Sequence, residues 1–510
     1  MKLLRIISYL SFTGLLFLLS CNRTKNTENL SGEELAKIHC ASCHLFPEPE
    51  LSDKSTWTAH ILPVMGEQLG LLIQDGVAYP DIQQERKGDS TYFVNKSAIS
   101  VEDWEKIVKY YIDKSPQQLP SQDRPKITAI TDLFEVKAVP VQKDGFPALT
   151  YIKIDEGNQQ IYAASTFDGS LNIFDKKLQE VSSKQLNATI VDIDFTEGLE
   201  KAGVRKGFMT NIGIMNPNDL KTGKILNFDA STKYASIIDS LQRPVQSITV
   251  DLDNDGHQDQ LICSFGNKKG ALVWYKNLSG KGYKKNIIRE LPGAIKAYIE
   301  DVNKDGLPDI WVLFAQAQEG IFLFTNQGKG NFDTKEVLRF PSIYGSSYFE
   351  MTDLNGDGYK DILYVSGDNA DYSSHLLKNY HGIYAYLNNG QNVFKQQFFF
   401  PIHGCYKATA RDFDKDGDMD IAAISYFPDR KLQTQESFVY LQNQGKLNFK
   451  PFSIKQANAG KWLVMDTGDI DGDGDDDIVI GSLDLNKKGI KDVARKDTAF
   501  MLLENKKFNR

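Results

Sequence analysis

Cys40-Ala41-Ser42-Cys43-His44 sets two thiols three residues apart, with an imidazole directly after the second. Thiols at that spacing can bond the two vinyl groups of one porphyrin, and the next histidine then falls under the iron. The segment therefore reads as covalent attachment of one haem c through Cys40 and Cys43, with His44 as axial ligand. A redox dithiol competes poorly, because no βαβ pattern surrounds the pair. Half a zinc site competes poorly too, because no second cysteine pair follows before the segment ends. The sixth ligand should come from nearby. The segment holds one methionine, Met65, in Leu62-Pro63-Val64-Met65-Gly66. Pro63 and Gly66 predict a loop that folds the Met65 thioether back to the iron, with His60 as competitor.

A second chemistry recurs farther along. Asp251, Asp253, Asp255 and Asp259 stand at positions 1, 3, 5 and 9 of a D-x-[DN]-x-D-G-x-x-D phrase. The same positions hold Asp301, Asn303, Asp305 and Asp309, then Asp353, Asn355, Asp357 and Asp361. Asp412, Asp414, Asp416 and Asp420 make the fourth copy, and Asp469, Asp471, Asp473 and Asp477 the fifth. Oxygens at 1, 3 and 5 converge on a hard cation, glycine at 6 permits the sharp turn, and Asp at 9 is expected to close the sphere. Asp and Gly favour turns in any case, but that preference accounts for one such loop and not for five. Up to five Ca²⁺ are expected. An EF-hand is excluded, because strand-like text such as Ile310-Trp311-Val312-Leu313-Phe314 follows position 9.

The elements that position these groups follow from pattern. Ser31-x-x-Glu34 is a capping box that starts a helix running into Cys40. Val101, Trp104, Ile107, Val108, Tyr111 and Ile112 recur at helical spacing, so Ser100–Asp113 reads as a final amphipathic helix that crosses the first. The acidic phrases begin 50, 52, 59 and 57 residues apart, a period of supersecondary size. Strands precede each loop, at Val250, Ile299 and Phe349. Strand-plus-turn phrases follow at Val273–Asn277, Leu323–Asn326, Tyr386–Asn388, Tyr440–Asn443 and Leu502–Asn505. Two copies without a metal loop, around 152–174 and 190–211, bring the count to seven four-stranded blades. Closing that ring requires a further strand from about 130–145.

Residues 1–20 carry Lys2 and Arg5 and then an apolar run, the form of a secretory signal. The remaining organisation reads as a polar tether over 21–30, a helical domain over 31–116, a proline-rich linker over 117–128 (within PQQLPSQDRP at 116–125) and a β domain over 129–510. The fold class is thus multidomain, a small all-α domain followed by an all-β seven-bladed propeller. The 59 Lys+Arg against 67 Asp+Glu leave a charge of −8 with no basic run, which speaks against nucleic-acid binding. Eighteen of the acidic residues are the proposed loop ligands, so the acidity says little about a partner. Asp368, Asp371, His381 and His403, near tyrosines and glycines, form a candidate polar site of the β domain. Cys263 reads as a buried strand residue.

Leu18-Leu19-Ser20-Cys21 resembles the bacterial lipobox, which implies lipidation of Cys21 and anchorage in the cell envelope. Segment 31–116 resembles a class I cytochrome c, which implies electron transfer. In the resemblance to Met-ligated members, Met65 ligation implies a weak far-red absorption band. The D-x-D-x-D-G loops with Ser264-Phe265-Gly266-Asn267 resemble the FG-GAP (VCBS-type) repeats of integrin-like propellers, well over 250–510 and poorly over 130–245. The joint arrangement looks like that of certain bacterial envelope proteins. Three roles follow as expectations. The first is an anchored electron-transfer protein whose propeller docks a redox partner or envelope polymer. The second is a propeller that oxidises a substrate and passes electrons to the haem. The third is a scaffold with the haem as sensor.

Overall fold

The computed structural model describes residues 30–42, 44–74, 76–80, 97–122, 124–141, 145–196, 205–228, 234–369, 377–429, 435–485 and 497–508. The signal segment, Cys21, Cys43 and Asp371 lie outside the described residues.

The first helix, Gly32–His39, begins at the expected capping box. The Glu34 N–H donates to Ser31 Oγ, and the Ser31 N–H donates to Glu34 Oε2 at 2.8 Å. The final helix, Val101–Lys114, starts where Ser100 Oγ accepts from the Asp103 N–H at 3.0 Å. The two helices cross at Gly32, where a Cβ would lie 2.1 Å from the Lys106 carbonyl oxygen, so the crossing tolerates no side chain.

Two expectations for this domain are corrected. Met65 does not sit on a loop: Leu62–Gln68 is helical, continuing from Lys54–Thr56 through a π turn at Trp57–Ile61. Pro63 follows directly on the π turn, where the Leu62 N–H bonds back to the Trp57 carbonyl and the regular ladder is already interrupted. Gly66 packs against Trp104 and Ile73, where a Cβ would come within 3.0 Å of both side chains. The domain is also not purely helical. Leu71–Gln74 and Val77–Pro80 pair as an antiparallel hairpin that turns at Gly76, with φ +77°.

The rest of the chain is a ring of seven four-stranded antiparallel sheets. Blades 1 to 6 span 149–185, 190–241, 244–289, 294–339, 346–401 and 405–452. Blade 7 combines Trp462–Gly468, Asp477–Ser482 and Thr498–Asn505 with Phe134–Pro140 as its outer strand, Phe134 opposite Asn505. The closing strand comes from the region where the repeat arithmetic required it. Pairing the two ends of the domain in one sheet removes an open edge and holds the ring shut. In blades 3 to 7 the second strands are buried at every position, as at Ile310–Phe314, because both faces of each blade pack on neighbours.

In blades 3 to 7 the acidic phrase joins the first strand to the second, so all five lie on one face of the ring. The helical domain rests on the opposite face. The Leu45 N–H donates to the Phe340 carbonyl at 3.2 Å, and Ile343 and Tyr380 of the ring complete the core of Leu35, Cys40, Trp57, Trp104, Ile107 and Tyr111. The segment after it is strapped to the ring. Gln122 Nε2 donates to the Asn379 carbonyl at 2.6 Å, Arg124 pairs with Glu436 and Asp429, and Ile127 enters the core between blades 5 and 6. Among the described residues, no helix is long and apolar enough to cross a membrane.

Candidate metal centres

The first helix delivers Cys40 to the core of the helical domain, 8% exposed, and Met65 packs onto the same core from the helix beyond the π turn. His60 lies in the π turn and is half-buried. His44 is 4% exposed, and its Nδ1 lies 2.9 Å from the Leu45 carbonyl oxygen. A ring N–H on Nδ1 donating to that carbonyl leaves Nε2 as the nitrogen with a lone pair, the arrangement of a metal-ligating imidazole. Burial lowers the His44 pKa. The Leu45 carbonyl pulls it upward, and the Arg339 guanidinium adds to the lowering. The neutral ring is thereby favoured, and that is the form that binds metals. Arg339 reaches this segment from the outer strand of blade 4, its Nη2 donating to the Ala41 carbonyl at 3.3 Å.

The five acidic loops share one hydrogen-bond pattern. In each, the first carboxylate accepts the N–H groups of residues five and six; Asp251 takes Asp255 at 3.1 Å and Gly256 at 2.8 Å. The fifth carboxylate accepts the N–H of residue seven. These bonds curl the loop so that the acidic side chains share its concave side. Asp251, Asp253 and Asp255 bring carboxylate oxygens within 4.8 Å of one another, as do Asp412, Asp414 and Asp416, and Asp469, Asp471 and Asp477. In blades 4 and 5 the third position is an amide. Asn303 Nδ2 donates to Asp305 Oδ2 at 2.8 Å, and Asn355 Nδ2 to Asp357 Oδ2 at 2.9 Å.

The ninth position carries a duty that spacing did not disclose. Asp259, Asp309, Asp361, Asp420 and Asp477 are all buried, and Oδ1 of each accepts the N–H of an asparagine ending the third strand, at 2.7–2.8 Å. Those are Asn277, Asn326, Asn388, Asn443 and Asn505, the residues that close the strand-plus-turn phrases. Each asparagine amide donates back to the carbonyl of loop residue eight. In four loops Oδ2 also accepts the N–H of loop residue two; in blade 6 it takes the Tyr440 hydroxyl at 2.7 Å. Burial raises all five acids against the pull of these donors, Asp420 to about 7 and Asp477 to about 8. A cation in the loop would oppose that rise.

Protein cations occupy two related places. In blade 3, Lys276 Nζ pairs with Asp253 and stands 2.9 Å from Asp255 Oδ2. In blade 1, which lacks the acidic phrase, Arg205 grips the buried Asp155 with Nη2 at 2.6 Å and Nε at 2.9 Å. Sequence reading missed Arg205, which reaches Asp155 from a different blade.

The His381–His403 site takes a different form from a cleft. His381 and His403 are both buried, and the Gly404 N–H donates to His381 Nδ1 at 3.4 Å. The His403 N–H donates to Glu436 Oε1 at 2.8 Å, and Glu436 is the acid gripped by Arg124. The two histidines thus belong to the packing beneath the strap. Cys263 is buried in a strand, as read.

Comparison with known proteins places the repeats. The family described as FG-GAP-like repeat matches residues 251–312 and again 301–364. No curated protein matches the chain. Among solved structures, the chain is similar to one titled streptogramin B lyase, with a TM-score of 0.44 and 12% identity over 73% of this chain and 98% of that one. It is similar also to one from S. cerevisiae titled as Dbp5 bound to Nup159, Gle1, IP6 and ADP, with a TM-score of 0.40 and 10% identity over 74% and 97%. The seven sheets and the two repeat matches together make the β domain a seven-bladed propeller that carries FG-GAP-like repeats.

Proposed function

We propose that this chain is an envelope-anchored c-type cytochrome, lipidated at Cys21, whose calcium-stabilised propeller binds the partner or ligand. The observation that carries the reading is the C-x-x-C-H segment, with Cys40 and Met65 on one core and His44 buried with Nδ1 on a carbonyl. That donor set fits a haem: Cys40 and Cys43 would hold it covalently, and His44 Nε2 and the Met65 thioether would ligate its iron. When bound, the group supplies a reversible one-electron couple. The chain's own part is to present the donors from an apolar core, which limits water at the site. The Leu45 carbonyl fixes the orientation of the His44 ring, and the contacts at Phe340 and Arg339 hold that loop on the propeller.

Calcium belongs to the same reading. Carboxylate oxygens clustered in a curled loop offer the hard, oxygen-rich setting that Ca²⁺ prefers. The five loops would then stiffen the face away from the haem. A catalytic propeller has less support, because His381 and His403 are both buried, at 0% and 4% exposure.

The test is spectroscopic. The purified chain, after reduction, should show a c-type α band, and Cys40→Ser with Cys43→Ser should release the pigment. A colourless protein from a host competent in haem attachment ends this reading. A far-red band lost in Met65→Ala and retained in His60→Ala assigns the sixth ligand. A screen for compounds that reduce the haem separates the electron-transfer role from the enzymatic one.

A further inference from the structure

On the face that carries the helical domain, a pocket opens where blades 3 to 6 converge, beside Ile343 of the shared core. Phe265, Gln316, Ser342, Asp368, Lys378 and Tyr406 line it. Among the described residues, nothing hydrogen-bonds Gln316 Oε1 or Ser342 Oγ, although both atoms are buried. Glu319 lies behind them, 1% exposed. Its Oε1 accepts from the Ser346 N–H at 2.8 Å and from Ser346 Oγ at 2.5 Å, while its Oε2 has no partner. Buried polar atoms are nearly always satisfied, so three unsatisfied oxygens in one region indicate a missing donor.

Oxygens without donors call for a ligand that brings O–H or N–H groups. A cationic ligand would meet the Lys378 ammonium in the wall and the Arg243 guanidinium, 5.5 Å from the centre of the Phe265 ring. An anionic ligand would meet Asp368 and the same unsatisfied oxygens. An uncharged polyol meets neither obstacle. Its hydroxyls satisfy the oxygens, and its C–H face can lie on the rings of Phe265 and Tyr406.

We propose that this pocket binds a small uncharged polyol, such as the terminal ring of a glycan, through Gln316 and Ser342. The proposal names the ligand class for the binding role given to the propeller above. It rests on that role and not on the haem.

Isothermal titration of the full chain with glucose, galactose, N-acetylglucosamine and glycerol tests it, with glucosamine and gluconate as charged arms. At least one neutral compound should bind saturably. Gln316→Leu and Ser342→Ala should each weaken that binding roughly tenfold, the scale of one polar contact in a buried site. The melting temperature and haem spectrum should stay unchanged. The proposal is overturned if no neutral compound binds, if glucosamine or gluconate binds better than glucose, or if both variants bind like the parent. Polyol binding by a colourless protein would sink the cytochrome reading and leave this one standing. A haem spectrum without polyol binding would do the reverse.

Discussion

Blade 1 and blade 7 meet the same physical problem, and on the calcium reading proposed above they meet it with different cations. Each has a buried aspartate beside the turn between its first two strands: Asp155, 3% exposed, in blade 1 and Asp477, 1% exposed, in blade 7. Blade 1 makes a short turn at Glu156–Asn158 and neutralises Asp155 with Arg205, a cation the chain itself supplies. Blade 7 makes the longer loop 469–476 and gathers the carboxylates of Asp469, Asp471 and Asp477, while Lys176 Nζ reaches the Asp471 backbone carbonyl at 3.3 Å. The two turns touch, Gln159 Nε2 donating to the Asp471 carbonyl at 2.8 Å. A tethered cation makes a blade's stability indifferent to the medium. An exchangeable one, as proposed for blade 7, would make it depend on free calcium.

The largest expected effect follows directly. Chelation should lower the melting temperature of the propeller, because a ligand at a hundredfold its Kd stabilises the folded state by about 2.7 kcal/mol per site. A scan with and without EDTA reads this, and an unchanged transition would remove calcium from the account. Next in size are two neighbouring aspartates of blade 7. Asp477→Asn should cost about 3 kcal/mol even in chelator, because it disturbs the acceptors of the Asn505 and Ile470 N–H groups, and more in calcium, because Asp477 is one of the carboxylates gathered in the loop. Asp471→Asn should matter only when calcium is present. An Asp477→Asn variant as stable as the parent in chelator would deny the ninth position its anchoring role.

Blade 1 supplies the control. Arg205→Met should destabilise by about 2 kcal/mol, below the usual figure for breaking a buried pair because the arginine is partly exposed. Chelator should not alter that loss. Its pH dependence is also set. Burial alone would raise the Asp155 pKa, and the Arg205 bonds outweigh it, so the pKa is lowered overall. A depressed carboxylate contributes stability above its unfolded pKa, about 3.9, and loses it as pH falls through the folded value. Arg205→Met should therefore converge with the parent in strong acid and differ most near neutrality. A difference that persists unchanged down to pH 2 would show that the arginine acts through packing and not charge.

Blade count, loop positions and the closing strand were legible because repetition cancels local ambiguity: five phrases at one spacing leave little else for the chain to do. The asparagines ending the third strands were visible as a recurrence, yet their partner in the ninth aspartate emerges only when first, second and third strands are paired. Met65 was misplaced because Pro63 and Gly66 break helices in the interior. Here the proline follows a π turn that already interrupts the ladder, and the glycine is needed for contact with Trp104. Arg124 could not be read at all. Its partners Asp429 and Glu436 lie some 300 residues away, and no local pattern marks a cation that straps one domain to another.

The smallest effect probes the one loop where both solutions meet. Blade 3 has the full set of Asp251, Asp253 and Asp255, and it also has Lys276, whose ammonium pairs with the second and third of them. Calcium entering that loop must displace the ammonium and then bear its repulsion. Hydrogen bonds and charge from Asp253 and Asp255 raise the Lys276 pKa, so the competitor stays charged through the physiological range. An exposed ion pair is worth about 1 kcal/mol at most, so Lys276→Met should tighten calcium at this loop by roughly fivefold. Luminescence of bound terbium, excited through the nearby Trp274 and displaced by calcium, can follow this loop separately. The same substitution should lower stability in chelator, where the tethered cation is the only one the loop has. Tighter calcium with a weaker apo form would place blade 3 between the two designs. An unchanged affinity would mean that Lys276 swings clear when the metal arrives and that blade 3 behaves as blade 7 does.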